Sequence, residues 1–476
     1  MKQPTNEAYW RKRLHNFGQE HLLQFWPELN EQQRAELIAD LERMPLAEVT
    51  GLIETHVRHK PPMPLAVSIE PAPFFPAKPD MDRVGQYADA VKRGMSLIRQ
   101  NKVAALTVAG GQGTRLGFDG PKGAYPISPV RNKPLFQLFA ESLLAARRRY
   151  GAQTRWYIMT SPLNDAATKE FFAKHAHFGL PADDVVFFAQ GQIPALSPDG
   201  KILLEEKHRV ALSPDGHGGV LLALARSGAL KDMATRGIEF LSYFQVDNPL
   251  VTVRDPLFLG LHEMTGSELS SKTIPKVDDF ERVGNFVLAD GKLLVIEYSD
   301  LPRELAMERG PGGVRLFDAG SIAIHVLSRG FIERLTKDPD HFALPWHRAE
   351  KKVSYVNERG ERINPATPNA VKLETFIFDA IPLAEKPMVL QTVRAEEFSP
   401  VKNATGVDSA ETSRRDMVRR AAAWLTSCGF DVPRRSDGQP DAIIEISPLL
   451  ALDADHLREV LTAPPKIIRG QAVYLE

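Results

Sequence analysis

The sequence predicts an α/β fold built on a mostly parallel sheet, and two observations support this class. Short apolar runs suited to strands buried on both faces occur at 103–109, 155–161 and 184–190. Helical patterns of ten or more residues lie between such runs, as at 134–150. Strands that alternate with helices of this length are typical of βαβ units, whose strands pair in parallel.

The composition is that of an ordinary globular protein of 476 residues, with 43% apolar and 25% charged residues. The net charge of −1 gives no global field for nucleic acid or for a membrane surface. No apolar run is long enough to cross a membrane. Cys428 is the single cysteine, and residues 1–17 have no signal-like apolar core, so we expect a cytoplasmic protein.

The first 80 residues read as a helical segment followed by a connector. Apolar residues recur three and four apart within 5–58, and Asn30 is placed to cap one of these helices. Residues 60–80 are rich in proline, which predicts an extended connector on the surface. We therefore treat 1–80 as one segment.

The next segment, 81–400, carries the predicted sheet and its helices. After the strands described above, 238–248 adds a further buried strand. Residues 283–300 read as two strands joined at Asp290-Gly291, which is a hairpin signal. Residues 401–476 are predicted to form a small C-terminal domain that ends in a strand.

The stretch "AGGQGTRLGFDGPKG" (109–123) follows the first buried strand and has five glycines. A dinucleotide fingerprint needs G-x-G-x-x-G, but Leu116 stands where the third glycine belongs, so a dehydrogenase is disfavoured. A P-loop needs a G-K-S/T triplet, which the chain lacks. The simplest alternative is a tight turn whose glycines adopt positive φ.

Two cations in this loop, Arg115 and Lys122, favour a phosphate site over a plain turn. A backbone with few side chains lets N–H groups approach phosphates closely, and the N-terminus of a following helix would add a favourable dipole. In open α/β sheets, ligands bind beyond the carboxyl ends of the strands, where this loop falls. The residues alone thus predict phosphate or nucleotide binding.

The loop and several later motifs resemble one enzyme family in the same order. They are "FFAQGQIPALSPDGKILLEEKHRVALSPDGHGG" (187–219), "QVDNPLV" (245–251), "VIEYSD" (295–300), "LFDAGSIAIH" (316–325), "INPATPNAVKLETFIFD" (363–379), "EEFSPVKNA" (396–404) and "IEISPLL" (444–450). This pattern is similar to the UDP-sugar pyrophosphorylases, most closely the UDP-N-acetylglucosamine pyrophosphorylases. The resemblance implies a Rossmann-like nucleotidyltransferase sheet of the GT-A-like kind. It further implies an enzyme that takes UTP and a sugar 1-phosphate and releases pyrophosphate.

The resemblance assigns roles to individual positions. Residues implied to act on the reacting phosphates are Arg115, Lys122 and Lys402. Those implied to bind the nucleotide are Gly110, Gly111, Gly113, Thr114, Lys122, Gln190, Gly216 and Asp247. Those implied to contact the sugar are His217, Gly284, Glu297, Ser321 and Lys372. Asp247 is also the implied ligand of Mg²⁺, which takes one or two carboxylates together with phosphate oxygens.

Three positions depart from the family pattern. His217 replaces the usual asparagine of the "DGNGG" motif, and Asp318 and Ser321 replace asparagines of "FNAGN". The resemblance along the chain implies N-acetylglucosamine 1-phosphate as the substrate. Because one of those asparagines is associated with sugar and N-acetyl recognition, the alternative is an enzyme that uses glucose 1-phosphate or has broad specificity for UDP-sugars. A non-catalytic nucleotide-binding protein is the third hypothesis. The presence of Arg115, Lys122, Asp247 and Lys402 together disfavours it.

Overall fold

A computed structural model of the chain describes residues 7–61, 68–338 and 344–476. Its α-helices are Glu7–Asn16 (α1), Glu31–Arg43 (α2), Leu46–Gly51 (α3), Val84–Arg99 (α4), Leu135–Tyr150 (α5), Asp165–Lys174 (α6), Val220–Arg226 (α7), Ala229–Thr235 (α8), Pro256–Thr265 (α9), Arg303–Met307 (α10), Arg329–Leu335 (α11), Arg394–Glu397 (α12), Ala410–Ser427 (α13) and Ala454–Val460 (α14). No helix within these described ranges is both long and apolar enough to cross a membrane.

The strands are short, and those predicted at 103–109, 155–161, 184–190, 238–248, 283–300 and the C-terminal end are among them. They are Ile69–Pro71 (β1), Val103–Val108 (β2), Trp156–Thr160 (β3), Val185–Ala189 (β4), Gln192–Pro194 (β5), Leu204–Glu206 (β6), Arg209–Val210 (β7), Leu212–Pro214 (β8), Phe240–Gln245 (β9), Leu269–Pro275 (β10), Asn285–Ala289 (β11), Lys292–Ile296 (β12), Ala319–Ser328 (β13), His347–Lys351 (β14), Tyr355–Val356 (β15), Arg362–Ile363 (β16), Ala370–Glu374 (β17), Met388–Gln391 (β18), Ile443–Ile446 (β19) and Ala472–Leu475 (β20).

The chain divides into two compact units, and neither is one continuous segment. The smaller unit combines Met1–Leu65 with Gln190–Gly219 and Ala343–Asp379, and the remaining residues form the larger unit. The sequence analysis divides the chain into consecutive segments, 1–80, 81–400 and 401–476, whereas the structure groups distant segments. Such grouping rests on long-range strand pairing, which leaves no local signal in the sequence.

The larger unit is built on a ten-stranded sheet with the order β1-β11-β13-β9-β2-β3-β4, to which β10, β12 and β18 attach. The run β9-β2-β3-β4 is parallel, which confirms the predicted α/β class. Strand β13 pairs antiparallel with β9, β10 and β11. The predicted hairpin is confirmed as β11–β12, because Asp290 and Gly291 both adopt the positive φ that its two-residue turn requires.

The core of the larger unit includes a large cluster of apolar side chains on one face of this sheet. Ala105 and Ile158 of the central strands, Phe136 and Phe139 of α5, and Phe244 of β9 belong to one buried cluster. The C-terminal residues form a second cluster, in which α13 and α14 pack against the parallel pair β19–β20. The final strand predicted from the sequence is thus present.

The smaller unit joins N-terminal helices to two-stranded ribbons. Asn30 caps α2, as predicted, and its side chain accepts a hydrogen bond from the Gln33 N–H. The helical residues Leu37 and Leu41 share a buried cluster with Ile193 and Leu373 of β5 and β17. The connector predicted at 60–80 falls partly on residues 62–67, outside the described ranges, and continues into β1, which pairs with β11.

Candidate active site

The glycine loop leaves the carboxyl end of β2 and is held in shape by backbone hydrogen bonds. The Gly113 N–H donates to the Gly120 carbonyl at 2.9 Å, and the Lys122 N–H donates to the Gly111 carbonyl at 3.1 Å. A Cβ on residue 113 would lie 2.7 Å from Phe118, so this position requires glycine. The ordered backbone presents few side chains to a ligand, as the sequence predicts.

A buried asparagine that the sequence analysis missed fixes the start of this loop. Asn164 lies just after β3, and its Nδ2 donates to the carbonyls of Ala109 at 2.8 Å and Gly111 at 3.2 Å. Its Oδ1 accepts from the Ser161 N–H at 2.8 Å. A signal was present, because a polar residue at the carboxyl end of a buried strand lies at the ligand edge of an α/β sheet.

The predicted helix dipole at the loop is wrong. Short 3₁₀ turns at Thr114–Leu116 and Lys122–Ala124 follow the glycines, and α5 begins only at Leu135. Leu116 is buried in the main apolar cluster, and Gly117 adopts positive φ and ends the first turn. Because these turns close the loop early, phosphate binding must rest on N–H groups and side-chain cations.

Lys122 and Asp247 lie together at the ligand edge of the sheet. Asp247 follows β9, which pairs in parallel with β2, so both chain segments emerge at the carboxyl ends of adjacent strands. Lys122 Nζ lies 3.8 Å from Asp247 Oδ2, and the two side chains are only 17% and 12% exposed. A half-shielded cation and carboxylate at this position suit a phosphate and its counterion.

Lys402 reaches the same edge through a backbone contact. The Val401 N–H donates to the carbonyl of Asp247 at 2.8 Å, which fixes the neighbouring residue beside the end of β9. Lys402 Nζ lies 3.7 Å from Asp408 Oδ2 and 5.8 Å from the centre of the Phe398 ring. The structure therefore brings Lys122, Asp247 and Lys402 together, as the resemblance implies.

Asp408 is a second residue that the sequence analysis missed. Its backbone carbonyl accepts from the Lys402 N–H at 2.7 Å, and its own φ of 55° lies in the left-handed region. Burial raises the pKa of Asp408, and the Asp247 carboxylate adds to this rise, whereas the Lys402 ammonium opposes it. Two carboxylates and two lysines thus share this edge.

Arg115 stands on the first 3₁₀ turn of the loop and is exposed. Within the part of the chain that the structure describes, its guanidinium has no hydrogen-bond or ion-pair partner. Gly110 and Thr114 flank the same stretch of backbone, and Thr114 opens the turn. The guanidinium is therefore available to phosphates that bind over the loop.

The residues implied to contact the sugar in the larger unit also lie together. The Ser321 N–H on β13 donates to the carbonyl of Gly284 at 2.8 Å. A Cβ on residue 284 would lie 2.6 Å from Val295 and 3.6 Å from Glu297 Oε1. Asp318, which also departs from the family pattern, pairs with Arg315 at 2.7 Å. A glycine, a carboxylate and a hydroxyl thus form one small polar surface.

Two implied nucleotide contacts, Gln190 and Gly216, and the implied sugar contact Lys372 lie in the smaller unit. Gln190 is buried, and its Nε2 donates to Asp215 Oδ1 at 3.4 Å. Gly216 has a φ of 90°, and a Cβ there would lie 2.3 Å from the Thr375 carbonyl oxygen. Lys372 lies on β17 opposite Ala349, and burial lowers its pKa. The backbone around Gly216 therefore permits only glycine.

His217 is buried among aromatic rings in the same unit. Its ring stacks on Phe376 with 5.2 Å between centroids, and its Nδ1 accepts from the Ile377 N–H at 3.2 Å. Burial, together with the nearby His347, lowers the pKa of His217 to about 4. The imidazole is therefore neutral at physiological pH.

The residues present fit a magnesium ion only if phosphates supply most of its ligands. Among the residues that the structure describes, no group of three or more His, Cys, Asp and Glu side chains is placed to hold a metal. Asp247 offers one carboxylate beside a cationic loop. Mg²⁺ commonly binds in this way, through one or two carboxylates together with substrate phosphates and water.

Comparison with known proteins agrees with this geometry. The family described as UTP–glucose-1-phosphate uridylyltransferase matches residues 77–417. The chain belongs to this family. A human UDP-N-acetylhexosamine pyrophosphorylase-like protein 1 is 38% identical, with 96% of this chain and 95% of the relative covered. An Arabidopsis thaliana UDP-N-acetylglucosamine diphosphorylase 2 is 34% identical, with 94% and 90% covered.

Solved structures place the fold in the same uridylyltransferase family. A crystal structure of the uridine diphosphate N-acetylglucosamine pyrophosphorylase from Trypanosoma brucei matches with a TM-score of 0.81 and 27% identity. The match covers 100% of this chain and 99% of that one. The family resemblance inferred from the motifs and the nucleotidyltransferase fold are thereby confirmed.

Proposed function

We propose that the chain is a uridylyltransferase that makes UDP-N-acetylglucosamine and pyrophosphate from UTP and N-acetylglucosamine 1-phosphate. The observation that carries this proposal is the convergence of Lys122, Asp247 and Lys402 beside a preformed glycine loop. Family membership and relatives named for UDP-N-acetylglucosamine or UDP-N-acetylhexosamine chemistry support this substrate over glucose 1-phosphate.

The reaction is a displacement at the α-phosphorus of UTP. A phosphate oxygen of the sugar 1-phosphate forms the new P–O bond, the bond between the α-phosphorus and the bridging oxygen breaks, and pyrophosphate leaves with the electron pair. The attacking oxygen is already anionic, so no residue has to remove a proton. Catalysis then depends on positioning and on charge neutralisation.

The cations of the larger unit supply that neutralisation. Lys122 is placed to stabilise the charge that develops at the α-phosphate, and exposed Arg115 to hold the β and γ phosphates of the leaving group. Lys402 lies on a different loop, in which the Val401 N–H donates to the carbonyl of Asp247. The loop N–H groups of Gly110, Gly111 and Thr114 add fixed dipoles, whereas that of Gly113 is bonded to the Gly120 carbonyl.

Magnesium is part of the proposal, with Asp247 as its protein ligand. Asp247 would hold the ion beside the phosphates, where a bound Mg²⁺ would supply Lewis-acid neutralisation of their charge. Asp247 is suited to hold it because the backbone of this residue is fixed by Val401 and its side chain faces Lys122. When Asp247 binds the ion, Lys122 is free to contact phosphate.

Base and sugar recognition are assigned to the remaining residues. Gln190 carries both a donor and an acceptor, which reading the uracil edge requires, and Gly216 lets the base pack against backbone. Ser321, Gly284 and Glu297 would contact the sugar. The neutral, buried His217 orders the segment that carries Phe376. Lys372 lies on β17, the strand just before that segment. A cytoplasmic location completes the proposal.

The direct test is release of pyrophosphate from UTP by the purified full chain. The sugar panel should contain the 1-phosphates of N-acetylglucosamine, N-acetylgalactosamine, glucose and galactose. We expect turnover that depends on both substrates and is fastest with an N-acetylated sugar. No pyrophosphate with any sugar, from a protein that binds UTP, would leave only nucleotide binding. Preference for glucose 1-phosphate would replace the proposed substrate but keep the reaction.

A further inference from the structure

A cleft outside the candidate active site lies within the larger unit, between α5 and the C-terminal elements. Its cavity volume is about 70 Å³, and the cleft is open to solvent on one side. Much of the wall is apolar, with Leu143 and Tyr150 from α5, Val251 from the segment after Asp247, and Trp424 from α13. Such a concave apolar surface with a few polar groups is typical of a small-molecule site.

One wall of the cleft contains a buried cation that forms no ion pair with the residues that the structure describes. Arg254 is 5% exposed, and its Nη1 donates to the carbonyl of Gln153 at 3.2 Å. Its Nε and Nη2 are buried, and within the described residues neither has a hydrogen-bond partner. Burial lowers the pKa of Arg254 to about 10, so the group is still charged at neutral pH. A buried charge without a partner is costly and favours an anion beside it.

A second arginine lines the cleft and is only partly engaged. The Nη1 of Arg420 donates to the carbonyls of Leu250 at 2.7 Å and Glu396 at 3.0 Å. Its guanidinium stacks 5.1 Å from the centre of the Trp424 ring. Two cations therefore line the cleft. The Arg420 guanidinium is held against the Trp424 ring, and the Arg254 guanidinium has two nitrogen atoms that donate no hydrogen bond to the described residues.

The two carboxylates in the wall are mostly engaged elsewhere. Glu445 Oε2 accepts from the N–H groups of Val130 at 2.7 Å and Arg131 at 2.8 Å. Its Oε1 is buried and has no partner among the described residues. Asp453 caps α14 and lies 3.9 Å from Arg149. Neither carboxylate forms an ion pair with Arg254 among the described residues, and the Asp184 carboxylate, which also acts on this guanidinium, lies beyond ion-pair distance.

We propose that this cleft binds a small organic anion, with its carboxylate, phosphate or sulfonate at Arg254 and a flat apolar body between Tyr150 and Trp424. An inorganic ion alone would leave the aromatic wall uncovered, and a neutral apolar molecule would leave Arg254 unpaired. The cleft is formed by residues other than those assigned to UTP and the sugar, so the proposal is independent of the proposed function.

The test uses 8-anilino-1-naphthalenesulfonate, an aromatic anion whose fluorescence rises in apolar surroundings, as the probe. The full chain is titrated alongside two variants. Arg254→Met removes the buried cation, and Arg148→Met removes an exposed cation from α5, a helix that lines the cleft. We expect one probe per chain, at least tenfold weaker binding in Arg254→Met, and unchanged binding in Arg148→Met. Equal affinity in Arg254→Met would overturn the proposal.

Two further measurements separate this cleft from other apolar sites. Uncharged N-phenyl-1-naphthylamine should bind at least tenfold more weakly than the sulfonate, and saturating UTP should not displace the sulfonate. Displacement by UTP would assign the probe to the nucleotide site. Equal binding of the uncharged probe would show that the positive charge of Arg254 does not contribute to binding. Either result contradicts the proposal.

A second variant, in which a large side chain fills the cleft, keeps the proposal testable if Arg254→Met does not fold. Ser142 lines the cleft from α5, and its Oγ donates only to the Leu138 carbonyl within the described residues. Ser142→Trp is expected to occupy the cleft and abolish the single probe site while thermal unfolding remains cooperative. Full probe binding by this variant would place the anion elsewhere and overturn the proposal.

Discussion

Lys122 Nζ lies 3.8 Å from Asp247 Oδ2, across the carboxyl ends of two adjacent parallel strands. The pair holds the glycine loop and the end of β9 in register before any substrate arrives. The two side chains can also separate when substrate binds, because the Asp247 carboxylate is a suitable ligand for a magnesium ion and the Lys122 ammonium is a suitable partner for a phosphate. Catalytic groups are thereby ordered in advance, which lowers the cost of organising them in the transition state.

The first prediction concerns Lys122. Lys122→Ala removes a cation aimed at the α-phosphate, and we expect a loss of ~3 kcal/mol of transition-state stabilisation, or about a hundredfold in kcat/KM. The fold should persist, because the apolar core of the larger unit does not include this side chain. Lys92→Ala, at an exposed ion pair on α4, is the matched control and should retain full activity. Near-normal turnover in Lys122→Ala would remove the residue from the catalytic set.

The second prediction concerns the metal. Activity should disappear in a chelator and return with added Mg²⁺, and Asp247→Asn should raise the Mg²⁺ concentration needed for half-maximal rate at least tenfold. The Val401 contact uses the backbone carbonyl of Asp247, so it survives the substitution. Asp89→Asn, at an exposed position on α4, should leave the requirement unchanged. Full activity in the chelated enzyme would exclude Asp247 as a metal ligand.

The third prediction concerns base selection by Gln190. UTP should be strongly preferred to ATP and GTP, since a wrong base leaves buried donors and acceptors unpaired. Gln190→Ala should reduce kcat/KM for UTP by a factor that corresponds to about 1–3 kcal/mol of lost binding energy. The ratio of kcat/KM for UTP to that for ATP should fall as well. Exposed Gln32→Ala on α2 serves as the control. Equal use of ATP by the unaltered enzyme would refute this assignment.

Local patterns predicted the parts of the site that depend on strand ends and turns. Lys122 and Asp247 follow apolar runs, and the carboxyl ends of parallel strands necessarily meet at one edge. The Asp290-Gly291 turn was predictable because its dihedral angles demand those residue types. These features are encoded within a few residues of each other.

Features that depend on distant segments were not predictable in this way. Asn164 hydrogen-bonds to the glycine loop from the next βα connection, and Asp408 meets Lys402 only because a loop folds back. The smaller unit joins β5–β8 and β14–β17 to the N-terminal helices, and the mutual hydrogen bonds of Leu196 and Val371 link its segments. No periodicity in a single sequence reports such pairings.

The fourth prediction concerns acid stability. Burial lowers the pKa of His217 to about 4 from the ordinary value of 6.5, so between these pH values the unfolded chain binds a proton that the folded chain excludes. Stability from this group is complete above pH 6.5 and is lost as pH falls towards 4. His217→Asn keeps an acceptor for the Ile377 N–H but removes the titration.

The measurement is the free energy of unfolding in urea at several pH values. The unaltered protein should lose up to about 3 kcal/mol more than His217→Asn between pH 7 and pH 4. His59→Asn, at an exposed histidine, should follow the unaltered protein. Identical pH dependence in all three proteins would mean that His217 is protonated in the folded state.

The last prediction concerns the sugar and rests on Ser321. Its N–H is held by the Gly284 carbonyl at 2.8 Å, so the position of the residue beside Gly284 and Glu297 is fixed while its hydroxyl is short. An asparagine amide reaches further and offers both a donor and an acceptor. An N-acetyl group read by asparagine in relatives would here lack that partner, or bind it through water at modest cost. We therefore expect the enzyme to prefer N-acetylglucosamine 1-phosphate but to accept glucose 1-phosphate.

Ser321→Asn should raise the ratio of kcat/KM for the N-acetylated sugar to that for glucose 1-phosphate about fivefold, which corresponds to ~1 kcal/mol, if one neutral hydrogen bond is restored. Ser321→Ala is the paired control, because it removes the hydroxyl without adding reach and should not raise that ratio. The same ratio in the unaltered enzyme and in Ser321→Asn would show that this position does not read the 2-substituent.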